Sequence, residues 1–389
     1  MDNVRFGIVG LGNMGSFHVD SFASLKGATL AAVCDASQKN LDAAGKKTSA
    51  RRFGSYQEML AARGIDAVLI ATPHLLHPEI ALAAFDKGVH VLCEKPLAVT
   101  VGQGRAVVDA AAKHPNLKFG MMFQQRTMPI YRKLRELIAD GELGEISRIT
   151  WIVTDWFRTW TYYASGGWRA TWSGEGGGVL INQCPHNLDL IQWLTGLTPG
   201  RITAVGFVGK THPIEVEDEV SAIMEYPNGA IGHFITSTGE APGTNRLEIV
   251  GDRGRIVCEQ DKLRFTRTRK SVRQTRETSK DAFARMETWE IEITQPAGEA
   301  EGHKAITQNF VDAIQKGEPL IAPGVDGLRQ LELGNAILMA ALTRKSVELP
   351  IASEAYDQFI ADVTKQYGGK KTLKTDTSAN VNMAASFQR

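Results

Sequence analysis

Residues 4–25 read VRFGIVGLGNMGSFHVDSFASL. Val4 to Gly10 is a short apolar run of strand character. Gly10-Leu11-Gly12-Asn13-Met14-Gly15 follows at once and opens a segment with helical spacing over 14–25. A GxGxxG run alone is weak. Here it has a strand before it, a helix after it, and a second strand pattern, TLAAVCD at 29–35, that ends on Asp35. Each residue has a use at a dinucleotide. Gly10 permits the tight turn, Gly12 lets backbone approach a pyrophosphate, and Gly15 lets helix and strand pack closely, with the helix N-terminus facing the phosphate charge. Asp35 is positioned to accept hydrogen bonds from ribose hydroxyls and to repel a 2′-phosphate. NAD(H) is therefore expected in preference to NADP(H), with Lys39 near enough to soften that preference.

Outward from this unit the alternation continues. DAVLIATP (66–73), VHVLCEKP (89–96) and LKFGMMF (117–123) are compact runs rich in Val, Ile, Leu and Met, as strands buried on both faces should be. Helical spacing recurs over 77–87 and 101–113. The pattern predicts a doubly wound parallel sheet over 1–125. The character then changes: 145–157, 201–209, 219–227, 229–238 and 245–251 read as antiparallel strands, several of them separated by turn signals such as Pro227-Asn228-Gly229. Helices are expected near 126–140, 182–195, 303–316 and 326–344. Residues 126–366 are thus expected to form an α+β domain with one open sheet. Residues 367–389 are expected to form a flexible tail or an arm to a neighbouring subunit. The charged stretch 262–302, which begins KLRFTRTRKSVRQTR, reads as a solvated strand-loop face.

Composition narrows the class. The chain has 389 residues, with 44 basic and 43 acidic side chains. This balance argues against a nucleic-acid partner, and no run approaches the roughly 18 apolar residues of a membrane span. The four cysteines, Cys34, Cys93, Cys184 and Cys258, form no CxxC and lie mostly in apolar runs, which points to a reducing compartment. With no signal-peptide pattern at the start, a cytoplasmic location is expected. His74 and His77 lie three apart without a further ligand set, so no metal is expected.

Three later stretches carry the chemistry. Thr72-Pro73, with His77 four residues after the proline, follows the third main strand, and Glu94-Lys95-Pro96 ends the next. GGGVLINQCPHNLDLIQWLTG (176–196) then places Asn182, His186 and Asp189 four and three apart, on one face of a helix. In this order, the motifs resemble the glucose–fructose oxidoreductase / inositol dehydrogenase (Gfo/Idh/MocA) family, over residues 1–350. The resemblance implies a Rossmann domain, a second domain whose open sheet forms subunit interfaces, and pyridine-nucleotide-dependent oxidation or reduction of a sugar, glycoside or cyclitol hydroxyl. It places Lys95 beside the nicotinamide, with Thr72, Pro73, His77 and Glu94 at the cofactor's edge. It also places an Asp and, four residues later, a His on the helix after the glycines. The His is His186; the Asp position holds Asn182, a departure. The Asn-Gln-x-Pro-His pattern resembles dehydrogenases of pyranosides, often at the 3-hydroxyl.

The residues suggest roles. Lys95 and His186 are expected to be the acid–base pair, with Asn182 as a neutral orienter and Asp189 supporting the helix. Five of the seven tryptophans fall in 151–172, beside the glycine run. Aromatic faces suit the C–H faces of a sugar ring, although about half of them, Trp151 above all, are expected in the sheet core. Arg126, Tyr163, Trp168 and Arg169 are expected to contact substrate together with Asn182 and His186. The favoured reading is an NAD-dependent sugar, glycoside or cyclitol dehydrogenase, as a homo-oligomer through the second sheet. Two others stay open: redox-assisted glycoside cleavage with retained NAD, and a non-catalytic NAD sensor.

Overall fold

A computed structural model describes residues 3–294 and 302–375. The first half runs β1 (Val4–Val9), α1 (Asn13–Ser21), β2 (Ala28–Cys34), α2 (Gln38–Gly45), β3 (Arg51–Phe53), α3 (Tyr56–Ala61), β4 (Ala67–Ile70), α4 (His77–Asp86), β5 (His90–Cys93), α5 (Val101–Ala112) and β6 (Phe119–Met121). Its six strands form a parallel sheet in the order β3-β2-β1-β4-β5-β6. β4 is buried at every position and β1 at all but one, which is why these runs do not alternate. Strand order reverses between β1 and β4, and a crevice at the strands' carboxyl ends is the ligand position in such sheets. The glycine turn after β1 and Thr72 after β4 both lie there.

The second half runs α6 (Pro129–Ala139), β7 (Ile146–Val153), α7 (Trp160–Ala164), α8 (Val179–Asn182), α9 (Pro185–Thr195), β8 (Arg201–Val208), β9 (Glu217–Glu225), β10 (Ile231–Ser237), β11 (Asn245–Gly251), β12 (Gly254–Glu259), β13 (Lys262–Thr268), α10 (Val272–Thr278), β14 (Thr288–Ile293), α11 (Gly302–Lys316), α12 (Gly324–Thr343), β15 (Val347–Glu348) and α13 (Ser353–Tyr367). Nine strands form one sheet, β14-β13-β12-β11-β7-β10-β9-β8-β15, antiparallel except for the β7–β10 pair. The expected architecture of two sheets is therefore observed. Within the charged stretch, residues 262–293 form β13, α10 and β14, and no residue of α10 is buried, while residues 295–301 lie outside the described residues.

Helices cover one face of the large sheet, with α12 against β8 and α9 against α12 and α6. On the other face, Val205, Phe207, Ile223 and Ile231 are 42–47% exposed. α11 instead turns back to the first sheet, where Ile306, Phe310 and Val311 join the core of β1 and β4. Residues 368–375 begin the segment expected to be a tail. Lys371 Nζ donates to the carbonyls of Tyr163 and Arg169 at 2.8 and 2.7 Å, and Gly369 N–H donates to Glu215 at 2.7 Å. Residues 376–389 of that expected tail lie outside the described residues.

Candidate active site

The nucleotide end is built from the glycine turn. Gly10 has φ +88°, and a Cβ there would lie 2.7 Å from the Ala71 backbone. A Cβ on Gly15 would lie 1.8 Å from the Gly10 carbonyl, so both positions serve close packing. Gly12 differs: a Cβ there would meet nothing within 4 Å. Gly12 is also the N-cap of α1, with no side-chain cap and no acid in the first turn, where Asn13 and Met14 lie. The free N–H groups at that helix end suit an anion. Asp35 accepts from Leu11 N–H (2.7 Å), Ser37 N–H (2.8 Å) and Asn40 Nδ2 (3.2 Å), holding the turn while keeping acceptor capacity for a ribose hydroxyl. Thr72 Oγ1 is buried with no partner among the described residues. The residues fit a dinucleotide with an unphosphorylated ribose.

At the next loop, His77 is buried. Its Nδ1 lies 2.7 Å from Pro96 O and its Nε2 2.8 Å from Thr72 O, so the ring ties the Thr72-Pro73 loop to the Glu94-Lys95-Pro96 loop. His74 Nδ1 meets Glu175 O at 3.2 Å. Glu94 is bound by His18 Nε2 of α1 at 2.8 Å. Burial acts to raise the Glu94 carboxyl, but the His18 hydrogen bond and nearby positive groups overcome it and hold it down at about 2.

Lys95 Nζ donates to the backbone carbonyl of Asn182 at 2.8 Å. That carbonyl is available because the helix is interrupted. The spacing of Asn182, His186 and Asp189 predicts one helix; the structure has two, α8 ending at Asn182 and α9 starting at Pro185. Proline has no N–H and suits a first helical position, so the chain restarts there. Burial pushes the Lys95 ammonium below its usual range. Glu94 and Glu175 oppose this shift, and Arg169 and Arg158 add to it.

The glycines before α8 are set by close packing. A Cβ on Gly178 would lie 1.9 Å from Glu217 O, and one on Gly176 2.2 Å from Val99 Cγ1. They let the turn press against β9 and the loop before α5. Glu217, on β9, caps α8 by accepting from Gly178 and Leu180 N–H at 2.8 and 3.1 Å.

His186 is buried, and its Nε2 lies 3.0 Å from Gln124 Nε2. Its Nδ1 is buried without a partner among the described residues. Burial first, and Lys95 second, drive the imidazole well below its usual range, so the ring is neutral near pH 7. Asn182 does not orient it. The Asn182 amide instead donates to Glu175 Oε1 and, at 3.3 Å, to the Tyr162 hydroxyl.

Two expected substrate ligands are otherwise engaged. Arg126 is 3% exposed; it donates twice to Asp189, once to Asp326 (2.8 Å) and once to Ile321 O (2.9 Å). Four of its five N–H donors are spent within the protein, because a guanidinium buried at this junction must be paired. Asp189 is correspondingly its counter-ion. Tyr163 is 3% exposed and donates to Thr238 Oγ1 at 2.8 Å, so it belongs to the core. Its neighbour Tyr162 faces the site. The Tyr162 hydroxyl accepts from Arg169 Nη1 (3.0 Å), Gln183 Nε2 (3.2 Å) and Asn182 Nδ2. Arg169 lies over the rings of Tyr162 and Trp168, 4.8 and 4.6 Å from their centres. Trp168 in turn meets His74 edge-on at 5.5 Å. Trp151 and Trp172 are core, Trp156 and Trp168 half-buried, and Trp160 exposed.

Glu175 is the residue that sequence reasoning passed over. It is 2% exposed, immediately before the three glycines, and accepts Ala170 N–H at 2.6 Å as well as the Asn182 amide. Its one signal was a carboxylate inside an otherwise glycine-rich and apolar run.

Comparison with known proteins gives this geometry a family. Residues 4–121 match the model "Oxidoreductase family, NAD-binding Rossmann fold", and residues 131–257 match "GFO/IDH/MocA C-terminal domain". Levoglucosan dehydrogenase of Pseudarthrobacter phenanthrenivorans is 31% identical over 297 residues, 67% of this chain and 75% of that protein. 1,5-Anhydro-D-fructose reductase of Ensifer adhaerens is 26% identical over 349 residues, 89% of this chain and 98% of that protein. The crystal structure of the WlbA dehydrogenase of Bordetella pertussis, in complex with NADH and UDP-GlcNAcA, superimposes with a TM-score of 0.75 at 27% identity, covering 90% of this chain and all of that one. The glycine turn with its open Gly12, the Lys95 loop and the helix pair that answers it are thus parts of a chain that belongs to the Gfo/Idh/MocA family of NAD-binding oxidoreductases.

Proposed function

We propose that this enzyme oxidises a secondary hydroxyl of a sugar, glycoside or cyclitol, with Lys95 taking the hydroxyl proton. The observation that carries the reading is the Lys95 amine, desolvated and held 2.8 Å from the Asn182 carbonyl. In its deprotonated form, which burial favours, an amine so held donates one N–H to that carbonyl and keeps its lone pair for the substrate O–H. NAD+, held by the glycine turn, the α1 N-terminus and Asp35, would supply the hydride acceptor. As the O–H proton passes to Lys95 Nζ, the electron pair of that bond forms the carbonyl and the carbinol hydrogen leaves as hydride. Neutral His186 hydrogen-bonds the reacting oxygen through Nδ1, and Lys95, once protonated, stabilises the developing charge.

Trp168, Tyr162 and Arg169 form the wall expected of a ring-shaped ligand, apolar faces with hydrogen-bonding edges. The named relatives that act on levoglucosan and 1,5-anhydro-D-fructose support a pyranose-like substrate, and oxidation at the 3-hydroxyl is the specific form we favour. We further propose a homo-oligomer in which a second copy covers Val205, Phe207, Ile223 and Ile231, an apolar patch on the open sheet face. Four buried free cysteines support a cytoplasmic location.

The test is NADH formation against a panel of anhydro sugars, methyl pyranosides and inositols. Net NADH with one or a few of them is the expected result. Aglycone release without net NADH would replace this reading with redox-assisted cleavage. No turnover across the panel, with NAD bound, would replace it with a sensor.

A further inference from the structure

The site has an imbalance of charge around Lys95. Arg169 and Arg158 face it, the rings of His74, His186 and His303 near it are held neutral by burial, and position 182 carries an amide. Two carboxylates oppose the cations. One, Glu94, is engaged by His18. The other is Glu175.

The connection between Glu175 and Lys95 runs through one residue. The Asn182 carbonyl holds Lys95 Nζ at 2.8 Å, and the Asn182 amide holds Glu175. Arg169 Nη1 is 4.0 Å from Glu175 Oε1, and the N–H of Ala170, a residue at φ +52°, is fixed by Glu175 Oε2 at 2.6 Å. Burial pushes the Glu175 carboxyl up, and Arg169, the Ala170 N–H, the Asn182 amide and Lys95 oppose that shift, so these contacts favour its ionised form.

We infer that Glu175 is a positioning residue that supplies Lys95, by way of Asn182, with the negative charge that an Asp at position 182 would supply directly. The inference rests on the reading that Lys95 exchanges the hydroxyl proton. With Glu175 ionised, protonated Lys95 is stabilised after it takes the proton. Replacing the carboxylate by an amide removes that support while keeping the hydrogen bonds. Gln at 175 still accepts from Ala170 N–H through Oε1, and Asn182 turns its amide to accept from Gln Nε2.

Two variants and two measurements test this. In Glu175→Gln, the acid limb of the kcat profile for sugar oxidation moves down by about one pH unit, the usual size for loss of one nearby opposite charge. In Glu175→Gln/Asn182→Asp the charge is moved one hydrogen bond along, and the limb returns most of the way. A carboxylate that only holds the loop would change activity without moving the limb, and an unshifted profile overturns the inference.

The second measurement needs no substrate. Carbamylation of Lys95 by cyanate, followed by peptide mass spectrometry across pH, reports its free-amine fraction directly. The midpoint is expected to fall by a similar amount in Glu175→Gln and to recover in the double variant, with melting temperature and NADH affinity as controls for folding. An unmoved midpoint overturns the inference even if the enzyme is active. A moved midpoint in a protein that oxidises none of the sugars upholds the charge coupling while the proposed function fails.

Discussion

Arg126→Met separates a structural arginine from a substrate-binding one. Arg126 and Asp189 are 3% and 4% exposed at their side chains, and Asp326 is 15% exposed. Methionine fills much of the same space but leaves Asp189 buried with no cation. Breaking a buried pair from one side costs about 3–5 kcal/mol, mostly the cost of the partner left behind. Unfolding entropy of about 2.1 cal/mol/K per residue over 389 residues is about 0.8 kcal/mol/K, so the melting temperature should fall by about 4–6 °C. Differential scanning calorimetry of the NAD-free protein reads this, with urea denaturation as a check against irreversible melting. Asp189→Leu added to Arg126→Met removes the orphaned charge and should recover more than half of the loss. KM for the sugar should change less than threefold, because four of the five guanidinium donors are already spent on protein. A drop of less than 1 °C together with a large rise in KM would refute the argument and return Arg126 to the substrate.

Lys95→Met should lower kcat by about 10²- to 10⁴-fold, the usual worth of a positioned proton acceptor, with NADH binding little changed by fluorescence titration. Tyr162→Phe should reduce kcat/KM, whereas Tyr163→Phe should cost about 1 kcal/mol of stability with near-normal kinetics, since only the first hydroxyl meets Arg169, Gln183 and Asn182. Gly178→Ala should destabilise by about 3 kcal/mol or more, read as a lower melting temperature by circular dichroism, because the added methyl would lie 1.9 Å from the Glu217 carbonyl oxygen, a backbone atom. The contribution of four buried histidines to stability should decline as pH falls below about 6.5, against an opposing gain from Asp189 and Glu217, whose carboxyls burial pushes up to about 6 and about 7. Burial holds His74, His77, His186 and His303 below their usual values, His303 at about 4, so the unfolded chain takes up protons there that the folded chain refuses. His303→Gln should flatten the decline between pH 6.5 and 4 in urea titrations; an unchanged slope would exclude His303 as a contributor.

Much of the fold was legible because its signals are local. β4 is buried at every position and β1 and β5 at all but one each, so their runs are short and mostly apolar, while β8–β10 alternate because only one face is covered. The weak elements escaped for the same reason. β3 and β15 are three and two residues long, too short for any period to register. The polar row of 182, 186 and 189 was visible as a spacing, but spacing assumes an unbroken helix. The first helix ends at Asn182 and the second starts at Pro185, and this break turns the Asn182 carbonyl over to Lys95.

What the sequence by itself determined is the chemistry carried on contiguous residues: the strand, glycine turn and helix, Asp35 at the end of the next strand, Lys95 at a strand end, and His186 at a helix start. The positions of these residues on their elements are fixed by backbone geometry within a few residues. Tertiary structure decided which ionised groups are spent and which are left to act. Arg126 was claimed by carboxylates 63 and 200 residues away, and Lys95 by a carbonyl 87 residues away. Adjacent tyrosines were assigned opposite fates by the side of α7 that packs. The reason is desolvation: a buried charge must find a partner wherever the fold brings one, and neither period nor motif records a contact made across the chain.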